Sequence, residues 1–235
     1  MGLSRTEAVI FDVDGTLVDY EHAQREGLRR HLDDRGWGND PSTWERWCRA
    51  EEHHFARYLA GDLTFEGQRR ERVRAFVGEP LADDDADAWF DGYRVHFESC
   101  WRLFDDVLGS LDALDDRPLA AFSNVSGSYT RRKVSAVGLQ DRFALIWGID
   151  DVGAAKPDPR PFLDLCAALG VEPSRTLHVG DRYEVDALGA CEAGLIGLWL
   201  DRPGAQLSGQ RPDGAVDTRV TVVSSLSDVV ALLTP

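Results

Sequence analysis

The chain has 235 residues, enough for one large core or for a core that carries a smaller inserted domain. Asp and Glu outnumber Lys and Arg by 41 to 26, and the net charge of −15 would repel nucleic acid and anionic lipid. No apolar run approaches the ~20 residues of a membrane-spanning helix, and the four cysteines lack the spacing of a zinc or redox motif. We therefore expect a cytoplasmic protein that binds neither nucleic acid nor membranes. Lys133 and Lys156 are its only lysines, which makes each of them worth attention.

Short apolar runs recur along the chain, and they have the length and composition of strands buried on both faces of a sheet. They cover residues 8–11, 119–122, 144–147, 176–179 and 196–199, with a weaker run at 220–223. Helical stretches separate or follow them, near 126–137, 159–169 and 183–193 and at the end of the chain. This alternation predicts an α/β fold with a doubly wound, Rossmann-like parallel sheet, in which ligands bind beyond the carboxyl ends of the strands.

Residues 19–101 follow a different pattern. They contain no convincing strand, and their apolar residues recur at helical spacing. Glycine-containing breaks near 36–38, 61–62 and 78–80 divide the segment into about four helices. We therefore expect an all-helical domain at 19–101, with its aromatic side chains mostly in its own core. It would be inserted into a sheet domain made of residues 1–18 and 102–235.

The first strand leads directly into Asp12-Val13-Asp14-Gly15-Thr16. Both carboxylates thereby stand at the edge of the sheet where ligands bind. Two acids this close need a cation to screen them, or their pKa values are pushed apart. One can then act as a nucleophile and the other as a general acid and base.

Further polar groups follow the later strands. Ser123 and Asn124 come directly after the second strand and can donate hydrogen bonds to phosphate oxygens without adding charge. Lys156 follows the third strand in a proline-stiffened loop, where an ammonium group can neutralise a carboxylate and a phosphate together. Asp181 and Asp186 follow the fourth strand. Carboxylate oxygens from several strand ends make a site for a hard cation and favour Mg²⁺ over zinc.

These four motifs resemble those of the haloacid dehalogenase superfamily in order and spacing, and the helical insertion resembles that superfamily's C1 cap. The resemblance implies a phosphatase in which Asp12 is the nucleophile and forms an aspartyl-phosphate. Asp14 would protonate the leaving oxygen and later deprotonate the attacking water. Ser123 would bind a phosphate oxygen, Asn124 would help to orient Asp12, and Lys156 would balance the negative charge.

The same resemblance implies a magnesium cofactor. Mg²⁺ would be held by Asp12, the main-chain carbonyl of Asp14 and Asp181, with Asp186 in support through water or hydrogen bonds. A carboxylate approaches a phosphate dianion more easily when a metal and a lysine lower the repulsion between them. The expected partner is a small phosphorylated metabolite.

The same residues help to distinguish a phosphatase from other activities. The dehalogenases lack the second aspartate of the motif that begins at Asp12, so Asp14 favours phosphoryl chemistry. Phosphomutases share Asp12 and Asp14 and stay open, as does a binding protein that kept the fold but lost activity. A zinc enzyme is disfavoured because five of the six histidines lie in the insertion, and the adjacent His53 and His54 point to different sides of a helix.

A cap of this size favours a small substrate such as a sugar phosphate, nucleoside monophosphate, phosphoglycolate or flavin mononucleotide. Polar and cationic residues of the early insertion are candidates for contacting it: Tyr20, His22, Arg46, Arg49, His53 and Arg57. A monomer and a homodimer are both compatible with the sequence.

Overall fold

The computed structural model describes residues 3–38, 40–204 and 216–234. The chain divides into two compact units. The described residues of Met1–Glu21 and Arg102–Pro235 form the first, which we name the sheet unit, and His22–Trp101 form the second, the helical unit. Tyr20 therefore belongs to the sheet unit. Among the described residues, no helix combines the length and the apolar content needed to cross a membrane.

The sheet unit is built on a parallel sheet with six described strands. These are β1 (Ala8–Phe11), β2 (Leu119–Ser123), β3 (Leu145–Gly148), β4 (Thr176–Gly180), β5 (Ile196–Leu200) and β6 (Thr221–Val223). Their order is β3-β2-β1-β4-β5-β6. The chain thus builds outward from β1 on one side and then returns to β4 on the other. This confirms the doubly wound sheet, and it places the ligand crevice expected for such sheets between β1 and β4.

The helices fill the segments between the strands. The described α-helices are α1 (Tyr20–Asp34), α2 (Pro41–Leu59), α3 (Phe65–Val77), α4 (Asp83–Ser99), α5 (Val107–Ala113), α6 (Gly127–Ala136), α7 (Ile149–Val152), α8 (Pro159–Leu169), α9 (Gly189–Glu192) and α10 (Leu226–Leu233). Short 3₁₀ turns cover Leu3–Arg5, Gln140–Arg142 and Pro173–Arg175. The helix expected at 183–193 is instead a wide π-helical turn, Tyr183–Leu188, followed by α9.

The central strands of the sheet are buried on both faces, as their apolar runs predict. All residues of β1, β2 and β4 are buried. On one face Ile10 and Phe122 pack with Phe162 and Leu165 of α8. Because this packing immobilises β1 and β2, the residues that directly follow these strands are held in fixed positions.

Local signals set where the helices beside the strand ends begin. The Ser126 side chain accepts a hydrogen bond from the Tyr129 main-chain N–H at the start of α6. Asp158 caps α8 in the same way, and Pro159 occupies the first turn, where a missing N–H costs nothing. These caps end the loops that carry Asn124 and Lys156.

The helical unit has an aromatic core. The Trp47 side chain is fully buried, and its ring centroid lies 5.2 Å from that of Phe76, 5.5 Å from Trp89 and 4.6 Å from Tyr93. The Trp47 indole N–H donates to Oε1 of the buried Gln24 at 2.8 Å. The side chains that pack in this core come from α1, α2, α3 and α4, in agreement with the four helices predicted for this segment.

Candidate active site

The site is built where β1 and β4 end side by side. Asp12 follows β1, and its main-chain N–H donates to the carbonyl of Val179 in β4 at 2.9 Å. Asp181 follows the last residue of β4. Gly15 has φ of +86°, and a Cβ built there would lie 2.2 Å from Oδ2 of Asp181. Glycine is therefore required at this position both by the backbone conformation and by the close approach of Asp181.

Three carboxylates meet at this edge. Asp12, Asp181 and Asp186 each offer an oxygen within 4.8 Å of the others, and the three residues are 8%, 5% and 1% exposed. Oδ2 of Asp12 and Oδ1 of Asp181 are buried and have no hydrogen-bond partner in the part of the chain that the structure describes. Buried carboxylate oxygens without donors are costly unless a cation occupies the space between them. An all-oxygen donor set of this kind fits a hard divalent cation such as Mg²⁺.

Lys156 links two of these carboxylates. Its Nζ donates to Oδ1 of Asp12 at 2.8 Å and to the carbonyl of Phe122 at 3.2 Å, and it lies 2.6 Å from Oδ1 of Asp186. The side chain is 2% exposed. The ammonium group is therefore buried within the acidic cluster, as its position after the third strand suggests.

The charges in this cluster shift one another's protonation. Burial raises the pKa of Asp12 to about 7 in spite of the nearby Lys156, and burial also raises the pKa of Asp181 well above its usual value. For Asp186, burial is outweighed by Lys156 and His178, which hold its pKa far below the usual range. A single lysine cannot neutralise three crowded carboxylates. Two of them therefore resist ionisation, whereas the third stays ionised.

Asn124 acts on the loop that carries Lys156. Its side-chain oxygen accepts from the Lys156 main-chain N–H at 2.8 Å, and its Nδ2 donates to the Lys156 carbonyl at 2.8 Å. Asn124 thereby fixes the main chain at Lys156, whose side chain contacts Asp12. Ser123 is the last residue of β2 and is 5% exposed, so its hydroxyl stands at the same sheet edge.

The Asp14 carboxylate is held by a residue to which the sequence analysis gave no role. Nζ of Lys133, on α6, donates to Oδ1 of Asp14 at 2.5 Å and to Oδ2 at 2.6 Å. The Lys133 side chain is 2% exposed. The one signal in the sequence was the rarity of lysine, which marks Lys133 and Lys156 equally.

The substrate-contact candidates lie in both units. Tyr20, in the sheet unit, has its ring centroid 5.4 Å from Nζ of Lys133. The other five lie in the helical unit, His22 on α1 and Arg46, Arg49, His53 and Arg57 on α2. Three of the five share a face of α2, where they line a shallow surface cavity: Arg49, His53 and Arg57. Arg46 instead lies over the ring of Phe76, 5.4 Å from its centroid.

A family model for haloacid dehalogenase-like hydrolases matches residues 6–194. The chain belongs to this family. The resemblance predicted from the four motifs is thus confirmed, and the protein is a hydrolase of the haloacid dehalogenase superfamily.

Both phosphatases and dehalogenases occur among the relatives of this hydrolase. It is 32% identical over 212 residues to the phosphoglycolate phosphatase of Chromobacterium violaceum, covering 84% of this chain and 86% of that protein. The magnesium-bound hydrolase YfnB of Bacillus subtilis has the same fold, with a TM-score of 0.83 and 21% identity over 98% of this chain and 100% of the other. A 2-haloacid dehalogenase from Pseudomonas syringae superposes with a TM-score of 0.65 and 25% identity over 97% and 98%.

Proposed function

We propose that this hydrolase is a Mg²⁺-dependent phosphatase that acts on a small phosphomonoester and forms an aspartyl-phosphate on Asp12. The observation that carries the proposal is the state of the Asp12 carboxylate. Oδ1 accepts a hydrogen bond from Lys156, whereas the buried Oδ2 has no hydrogen-bond partner among the described residues. A carboxylate that Lys156 orients and that donors do not fully satisfy suits attack on phosphorus.

The acidic cluster supports the choice of metal. Asp12, Asp181 and the main-chain carbonyl of Asp14 would hold Mg²⁺ directly, with Asp186 in a supporting position beside Lys156. When bound, the cation supplies positive charge that offsets the repulsion between a carboxylate nucleophile and a phosphate dianion. Lys156 supplies charge of the same sign from the chain itself.

The chemical steps follow from Asp12 and Asp14. Asp12 attacks the phosphorus while the bond to the ester oxygen breaks, and Asp14, as a carboxylic acid, gives its proton to that oxygen so that an alcohol leaves. The Asp14 carboxylate then removes a proton from a water molecule whose oxygen attacks the phosphorus. Inorganic phosphate departs, and the Asp12 carboxylate is regenerated. Ser123 would hold a phosphate oxygen during both steps.

The dehalogenase likeness does not displace this proposal. An alkyl halide releases a halide ion, which needs no proton, so a second carboxylate two residues after the nucleophile has no task in that reaction. Here Asp14 is present, and Lys133 holds both of its oxygens. The likeness to a phosphoglycolate phosphatase over most of the chain points in the same direction.

The relatives and the helical unit bear on the identity of the substrate. The substrate would be a small phosphorylated metabolite, and the Chromobacterium relative puts phosphoglycolate first among those to try. Arg49, His53 and Arg57 are the contact candidates that share one face, and the two guanidinium groups would suit an anionic leaving group. The cytoplasmic location and the choice between monomer and homodimer stay predictions.

Phosphate release from a panel of phosphomonoesters tests the proposal. The wild-type protein should release phosphate with Mg²⁺ and lose this activity in EDTA. Asp12→Asn should be inactive, whereas Asp141→Asn, which changes an exposed aspartate of the same unit, should match the wild type. Release that persists in Asp12→Asn or in EDTA would contradict the mechanism.

A further inference from the structure

Lys133 is a buried lysine outside the four motifs. It lies on α6 with 2% of its side chain exposed, and its ammonium group is within hydrogen-bond distance of both oxygens of Asp14. Burying an ammonium is unfavourable by several kcal/mol unless close partners compensate. A lysine that only packs on the protein surface normally keeps its ammonium group in water. The burial of the Lys133 ammonium group therefore indicates a specific role.

Two aromatic rings also lie near its ammonium group. The Nζ atom lies 5.2 Å from the ring centroid of Tyr129 and 5.4 Å from that of Tyr20. Aromatic faces attract cations, so both rings favour the ammonium at this position. All four residues of this arrangement belong to the sheet unit. The arrangement around Lys133 therefore lies within one unit of the chain.

We propose that Lys133 is a positioning residue for Asp14, and this inference rests on the phosphatase function proposed above. Asp14 lies in the turn after β1, and its side chain has two rotatable bonds between the main chain and the carboxyl group. Hydrogen bonds from Lys133 to both carboxyl oxygens restrict the Asp14 side chain to one orientation. A general acid must lie within hydrogen-bond distance of the oxygen that it protonates, and misplacement by about 1 Å can cost a hundredfold in rate.

Asp14 takes part in both steps of the reaction, and it acts as an acid in the first. In the first, the proton goes from the Asp14 carboxylic acid to the ester oxygen as the phosphorus–oxygen bond breaks, while the protons on Lys133 stay there. An alkoxide leaving group needs this proton, whereas p-nitrophenolate leaves readily without it. Loss of Lys133 should therefore slow phosphoryl transfer from an alkyl ester far more than transfer from p-nitrophenyl phosphate.

The test compares kcat/KM for p-nitrophenyl phosphate and for the best alkyl phosphomonoester of the panel, because kcat/KM reports the step in which the leaving group departs. For Lys133→Met we expect a fall of about a hundredfold with the alkyl ester and of less than about tenfold with the aryl ester. Lys133→Arg keeps the charge and should recover at least part of the alkyl activity. The control is Arg142→Met, an exposed cation of the same unit that pairs with Asp112, which should leave both values unchanged.

The possible results distinguish this inference from the proposed function. Equal losses with both esters, or no loss, in a wild type that is active would overturn the role of Lys133 and leave the phosphatase standing. Wild-type protein that releases phosphate from neither ester would overturn both. If Lys133→Met is insoluble, Lys133→Gln provides the uncharged variant, and circular dichroism checks that each variant is folded.

Discussion

Replacing Lys156 with methionine should destabilise the sheet unit strongly. Methionine keeps much of the length of the side chain but removes the ammonium group that lies 2.8 Å from Asp12 and 2.6 Å from Asp186. Both carboxylates are buried, and the lysine is 2% exposed, so water cannot replace the lost charge. Removing one partner of a buried ion pair typically costs about 3–5 kcal/mol. We expect a loss in the upper part of this range, because two pairs are broken.

Urea unfolding in EDTA, followed by circular dichroism, measures this loss. Added Mg²⁺ should return part of it, because a cation bound by the acidic cluster replaces some of the missing charge. Phosphate release should fall about a hundredfold at saturating Mg²⁺. Arg160→Met removes an exposed cation four residues further along and should alter neither quantity. The electrostatic reasoning would be refuted if the free energy of unfolding of Lys156→Met in EDTA lies within about 1 kcal/mol of the wild-type value.

Two further predictions concern glycine contacts and pH. Gly15→Ala should lower phosphate release about a hundredfold, since its Cβ would lie 2.2 Å from Oδ2 of Asp181. The control, Gly153→Ala, is also at positive φ but has nothing within 4 Å of the added Cβ, and it should keep full activity. Equal losses of activity in the two variants would disprove the contact argument. Burial lowers the pKa of His31 in the helical unit to about 4. Because the unfolded chain binds a proton at this residue below about pH 6.5 and the folded chain does not until about pH 4, stability should fall by about 1.4 kcal/mol per pH unit as pH drops through that window. His31→Gln should remove this part of the slope in urea titrations, and an unchanged slope would contradict the assignment.

The central strands could be predicted because β1, β2 and β4 are buried along their whole length, and their sequences are accordingly rich in apolar residues. The register was less certain: the third strand, expected at 144–147, is Leu145–Gly148, since Gly148 pairs with Ser123 at the edge of the sheet. The helix α5 was missed because its seven residues bury only Val107, Ser110 and Leu111, too few to form a helical period. Apolar spacing also cannot distinguish the π-helical turn after β4 from an ordinary α-helix.

The acidic cluster could be predicted for a topological reason. The carboxyl ends of parallel strands meet at one edge, so Asp12 and Asp181 were expected to come together although they are far apart in the sequence. The Lys133–Asp14 pair could not be found in this way. It spans 119 residues, and Lys133 lies inside a helix rather than at a strand end. Lysines are seldom buried, so neither composition nor periodicity predicts that this one would be.

The aspartyl-phosphate is the species that most directly tests the proposed mechanism. Asp14→Ala should form it from p-nitrophenyl phosphate, which needs no leaving-group proton, and should hydrolyse it slowly because the base is missing. Acid quenching followed by peptide mass spectrometry should then find one hydroxylamine-sensitive phosphoryl group on Asp12. The account would be contradicted if the wild type releases phosphate rapidly but this variant carries no phosphoryl group on Asp12. A phosphoryl group on another residue would contradict it as well.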